Sequence, residues 1–119
     1  MEIIDNRQTL EHTRGDKGAL LLEAKTTPFK TDDVLKFSIV TKGNYSDVVF
    51  QKEFKITEEC SEFYLTFTKE EMKIGEPIND KVTYYYEIEL NGDTTLVGSR
   101  SKHKKFILYP EAGDKEGGK

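Results

Sequence analysis

The chain has 119 residues, enough for one hydrophobic core and not for two. Only 35% of the residues are apolar and 34% are charged, yet seven Phe and six Tyr supply the large apolar side chains that disordered chains lack. The net charge of −4, with basic residues spread along the chain apart from Arg100–Lys105, argues against a surface for nucleic-acid phosphates, and no run of eighteen apolar residues is present to cross a membrane.

Residues 1–7 are a short lead-in that pairs at most as an edge strand. A strand is expected over Gln8–His12, ended by the turn residues Arg14-Gly15-Asp16. Gly18–Ala24 reads as the next strand, with Leu20 and Leu22 on one face and Leu21 on the other. Thr26–Asp33 holds Pro28 and two Asp and is a loop, with a single turn expected from Thr31. Val34–Thr41 alternates: Leu35, Phe37 and Ile39 point inward, Lys36 and Ser38 outward. After the turn Lys42-Gly43-Asn44, the strand Asp47–Ile56 is expected to bury Val48, Phe50, Phe54 and Ile56, with Lys52 interrupting the pattern.

Polar residues 57–61 lead into Glu62–Thr68, whose Phe63, Leu65 and Phe67 face the core. Thr68-Lys69-Glu70-Glu71 has the form of a capping box, in which the Thr hydroxyl and the Glu carboxylate each satisfy the other residue's backbone N–H. It predicts one helical turn, buried through Met72 and Ile74 and ended by Gly75 and Pro77. Val82–Leu90 is the clearest strand. Val82, Tyr84, Tyr86, Ile88 and Leu90 share one face; Thr83, Tyr85, Glu87 and Glu89 share the other. Asn91-Gly92 follows, and both residues accept the positive φ of a type I′ turn, so residues 93–99 are expected to return antiparallel. A basic loop, Arg100–Lys105, precedes the last strand, Phe106–Tyr109, stopped by Pro110. Residues 111–119 carry no apolar pattern and read as a polar tail behind a single domain over residues 1–110.

Seven or eight short strands with at most one helical turn, spaced by turn signals, predict an all-β fold. The expected form is an antiparallel, two-sheet, immunoglobulin-like sandwich, with a closed barrel as the alternative. A single cysteine, Cys60, excludes an internal disulfide and any multi-cysteine metal site. Residues 1–30 lack an apolar run behind a basic start, so no signal peptide is expected.

No catalytic, cofactor-binding or metal-binding set emerges. His12 and His103 lie in no ligand spacing. Cys60 stands among Glu58, Glu59 and Glu62, and such acids disfavour a thiolate. Arg14-Gly15-Asp16 spells an adhesion tripeptide but reads as a turn with an Arg–Asp contact. Arg100–Lys105 reads as a solvated hairpin end rather than a nucleic-acid site. The candidate contact residues are the outward tyrosines Tyr64, Tyr85 and Tyr109. Tyrosine on a sheet face serves cross-strand packing or, equally, the core of a protein interface.

Taken together, several features resemble a known group. They are the turn Arg14-Gly15-Asp16 before the leucine strand Leu20-Leu21-Leu22, the alternating Leu35-Lys36-Phe37-Ser38-Ile39, and the acidic turn after Thr68 with Gly75. To these are added Tyr84-Tyr85-Tyr86-Glu87-Ile88, Asn91-Gly92-Asp93, and the closing Phe106 to Pro110-Glu111. This pattern resembles the small immunoglobulin-like structural domains of Gram-positive phages and prophages, of the kind found at the N-terminus of baseplate upper proteins. The resemblance covers roughly residues 8–111 and rests on turns and core positions. It implies a non-catalytic tail or baseplate protein without cofactors, made in the host bacterial cytoplasm and then built into the virion, whose partners are other virion proteins or further copies of itself. The competing reading is a carbohydrate-binding β-sandwich module that stacks sugars on its exposed tyrosines.

Overall fold

The computed structural model describes residues 2–3, 9–24, 26–98 and 104–111. Among these the alternating segments form nine strands and no helix: β1 (Glu2–Ile3), β2 (Leu10–Thr13), β3 (Gly18–Glu23), β4 (Val34–Thr41), β5 (Asn44–Lys55), β6 (Glu62–Phe67), β7 (Val82–Leu90), β8 (Thr94–Val97) and β9 (Lys104–Tyr109). The main sheet has the order β1-β2-β9-β7-β4-β5, with β8 also on β7. Strands β3 and β6 form a separate two-stranded sheet.

The expectation of a wholly antiparallel fold needs correction. β2 and β9 run parallel, from Leu10 beside Phe106 to Thr13 beside Tyr109, so the main sheet is mixed. No short loop joins these two strands, and only a tight hairpin forces antiparallel pairing. Their inward residues are in phase in the parallel register: Leu10 beside Phe106 and His12 beside Leu108, all four buried.

Apolar side chains from the two sheets meet around Phe37. Its ring lies 5.0 Å from Phe67 of the small sheet and 5.7 Å from Tyr86 of β7. Phe67 also packs edge-on to Phe54, at 5.7 Å, and Phe54 to Phe63, at 6.3 Å. Offset and edge-on aromatic pairs add to the gain from burial. Leu20 and Leu65 complete the contact from the small sheet.

Inward and outward positions fall as the alternation predicts in β6 and β7. In β4 Leu35, Phe37 and Ile39 are buried as expected, but Ser38, expected outward, is buried as well, and β5 departs from the expected pattern further. The pairing of β4 with β5 shifts after Ile39: Ile39 faces Phe50, whereas Val40 faces Val48. This bulge reverses the phase of β5. Val48, expected in the core, is 47% exposed, and Val49 packs on the core in its place. Lys52, the residue that breaks the apolar pattern, does so for a reason. Its stem crosses the faces of Phe54 and Phe67, with the ammonium 5.0 and 5.7 Å from their ring centres. The charge then reaches the sheet edge, where it bonds the Thr66 carbonyl at 2.8 Å and Glu71 Oε1 at 2.9 Å.

The capping box forms without a helix. Thr68 N–H donates to Glu71 Oε1 at 2.8 Å and Glu71 N–H to Thr68 Oγ1 at 3.1 Å. Consecutive turns follow, which bury Met72 and Ile74. The Asn91-Gly92 turn is as expected, with φ of 54° and 72° and a closing bond from Asp93 N–H to the Leu90 carbonyl at 3.2 Å. Its returning arm is shorter than expected and stops at Val97. Gly98 takes φ of 76° and lies so close to Tyr86 that a Cβ there would run into the Tyr86 carbonyl oxygen. β9 resumes the pairing with β7 from Tyr86 onward.

Candidate functional site

The three candidate tyrosines do not share a surface. Tyr85 on β7 and Tyr109 on β9 belong to the outer face of the main sheet, alternating with the buried Tyr86 and Leu108. Tyr64 on β6 alternates with the buried Leu65 and stands on the outer face of the small sheet, the opposite side of the molecule. The alternation identifies each tyrosine as outward. Which sheet each occupies depends on strand order, which alternation does not encode.

On the main sheet's outer face, polar side chains hold one another. Lys36 pairs with Glu89 at 3.3 Å, the Tyr45 hydroxyl donates to Glu87 Oε2 at 3.0 Å, and Gln51 Nε2 donates to Ser38 Oγ at 3.0 Å. Tyr109 is bonded to the Glu11 carboxylate beside it. Partial burial, then the neighbouring Glu11 charge, push its phenol pKa above the ordinary value. Tyr85 is half-buried and lies in register between Val40 of β4 and Lys105 of β9. These contacts make this face a cross-braced lattice.

The small sheet is different. Its outer face carries Ala19, Leu21 and Glu23 from β3 against Thr66, Tyr64 and Glu62 from β6. Tyr64, 60% exposed, sits directly opposite Leu21. A cleft of about 530 Å³ opens beside the same sheet. One wall is Leu22 and Ala24 at the end of β3, the other Leu96 and Val97 of β8, and Phe29 and Leu90 lie between them.

The one carboxylate with a depressed pKa in this cleft is structural. Asp33 Oδ2 accepts the Lys30 N–H at 2.9 Å and Oδ1 accepts Asn91 Nδ2 at 3.1 Å. These two bonds, the backbone one first, hold the Asp33 carboxyl below its usual pKa. Asn91 in turn accepts the Val34 N–H at 2.8 Å, so the pair ties the turn before β4 to the β7–β8 hairpin.

Arg14-Gly15-Asp16 is not displayed for a receptor. Arg14 is 7% exposed, and its Nε and Nη2 donate to the carbonyls of Ile74 and Gly75 at 3.2 and 2.8 Å. Gly15 N–H donates to the Met72 carbonyl at 3.1 Å. His12 is also buried, with Nε2 2.6 Å from the Asp16 carbonyl. Desolvation lowers its pKa from the ordinary 6.5. Cys60 is half-buried and exchanges two backbone bonds with Phe29, at 2.8 and 3.0 Å. Among the described residues no three His, Cys, Asp or Glu converge as metal ligands. His103, with most of the basic loop from Arg100, lies outside the described residues, as do residues 112–119.

The open flank of the small sheet, with Leu21, Tyr64 and the adjacent cleft, is therefore the candidate contact surface. Sequence reasoning named Tyr64 but missed Leu21, because a three-leucine run hides which member faces out until the strand's partner is known. No protein-family model matches the chain, and no curated protein matches it.

Proposed function

We propose that the chain is a non-catalytic structural protein of a phage or prophage tail or baseplate, working through protein–protein contacts on an immunoglobulin-like sandwich. The observation that carries the contact reading is the exposed Tyr64, opposite the half-buried Leu21, on a two-stranded sheet whose β3 edge is paired with no strand among the described residues. Tyrosine beside an aliphatic residue suits the core of a protein interface, and an open strand edge suits strand addition.

Strand order supports the immunoglobulin-like part. The first and last long strands, β2 and β9, lie side by side and parallel, and β9-β7-β4-β5 continue the sheet. Strands β3 and β6 stack across it through Phe67. The phage context comes from the sequence resemblance. The carbohydrate reading gains no support, since Tyr64 is on the opposite side from Tyr85 and Tyr109 and the three make no common stacking platform.

The test is the genomic neighbourhood followed by capture. Flanking genes for tail or baseplate proteins, and retention of one of their products by the immobilised chain, are the expected results. Flanking genes for sugar uptake or polysaccharide breakdown, with signal on a glycan array, would overturn the proposal.

A further inference from the structure

The edge of β3 that no described strand pairs can be read in atomic detail. Ala24 N–H donates to the Ser61 carbonyl at 2.8 Å, in register with the β3–β6 ladder. In an antiparallel ladder bonded and non-bonded pairs alternate. Gly18, Leu20, Leu22 and Ala24 therefore bond toward β6, while Ala19, Leu21 and Glu23 turn their N–H and C=O groups away from it. By the same alternation Thr66 turns its groups toward the far edge of β6. That edge is occupied, because Lys52 bonds the Thr66 carbonyl.

The β3 edge lacks the usual protection. From Gly18 to Glu23 it has no proline, no bulge and no inward-pointing charge, and its register is regular over all six pairs. Exposed charges stand only at the ends, Lys17 before the strand and Glu23 at its close. The cleft between β3 and β8 leaves open space beside Leu22 and Ala24.

This edge is its own complement. When two copies are set antiparallel about a twofold axis at Leu20, Ala19 of one faces Leu21 of the other, and these are the residues whose backbone groups point outward. The same register puts Lys17 of each copy opposite Glu23 of the other, on the same face. Sliding the register by two residues in either direction separates both charge pairs. We infer that two copies of this chain join through their β3 edges in this register, merging the two small sheets into one four-stranded sheet; this rests on the protein-contact reading above and specifies its surface and partner. The two Leu21–Tyr64 pairs then lie on one continuous outer face. Isologous pairing of this kind is the commonest route to a homodimer.

Sedimentation velocity of the full chain, from micromolar to hundreds of micromolar, tests the inference. The expected result is a concentration-dependent dimer. Glu23→Lys places like charges at both ends and raises the dissociation constant by at least about tenfold. Adding Lys17→Glu in the same chain restores the pairs and the dimer, and circular dichroism reports whether each variant keeps the sheet. A wild-type monomer at every concentration overturns the inference. So does a dimer that ignores Glu23→Lys, or a weakened one that the double variant fails to restore. None of these results bears on flanking genes or capture by tail proteins, so a failure here is distinguishable from failure of the virion proposal.

Discussion

Arg14 and Ile74 lie 60 residues apart in sequence, and the Arg14 guanidinium donates to the Ile74 carbonyl at 3.2 Å from an almost fully buried position. With the Gly75 carbonyl at 2.8 Å on Nη2, one side chain satisfies two backbone acceptors in the segment between β6 and β7, where no ladder is present to do so.

Replacing Arg14 strands those carbonyls. Arg14→Ala is expected to cost about 1–3 kcal/mol, the range for leaving buried partners unsatisfied. Arg14→Lys should recover only part of this, because an ammonium lacks the planar fork that meets two acceptors at once. Urea unfolding, compared at constant m-value, measures both.

His12 should make stability sensitive to mild acid. Its folded-state pKa is depressed, with desolvation as the largest cause, so below about 6.5 the unfolded chain takes up a proton that the folded chain resists. Stability is full above that pH, falls as the pH drops through the window below it, and levels off once the folded state also protonates. Thermal unfolding from pH 8 to 5 should show this fall in the wild type and a flatter profile in His12→Gln. An identical slope in both would remove His12 as the cause.

Phe37 joins three elements: β4, β7 through Tyr86, and the small sheet through Phe67. Phe37→Ala is expected to cost about 3–5 kcal/mol, as buried Phe truncations do, which is a large share of the roughly 5–15 kcal/mol stability of a typical domain. Loss of the near-ultraviolet tyrosine signal on titration with denaturant would reveal the shift in midpoint.

Thr68 and Glu71 should prove energetically coupled. Each holds the other's backbone N–H, and Lys52 shares the same carboxylate oxygen. The Thr68 backbone bond first, and Lys52 second, hold the Glu71 carboxyl below its usual pKa. Its contribution is therefore present above the ordinary carboxylate pKa and lost as the pH falls through the depressed one. A double-mutant cycle of Thr68→Ala and Glu71→Ala should give single costs of about 1 kcal/mol each and a sum that exceeds the double variant.

What was legible in the sequence was local. Asn91 and Gly92 dictate their turn by φ alone, Thr68 and Glu71 pair across three residues, and the alternation of Val82–Leu90 identifies a strand and its buried face. What was not legible needed a second segment to define it. The inversion at Val48 comes from a bulge opposite Val40, with no glycine to announce it. The parallel union of β2 with β9 joins segments nearly a chain length apart. The candidate contact surface shows the same division: Tyr64 reads as outward from β6 alone, whereas the β3 edge that no described strand pairs becomes visible only once its other edge has been assigned to residues 61–67.

The union of β2 with β9 also orders events in time. Among the described strands β2 neighbours only the two-residue β1 and β9, so its main pairing waits for a partner more than ninety residues further along the chain. Closure of a loop that long precedes any reward from the contact. The β4–β5 and β7–β8 hairpins join neighbouring segments, but Leu10 and His12 find their places only once β9 is at hand, which makes the docking of β2 a late, long-range step of folding.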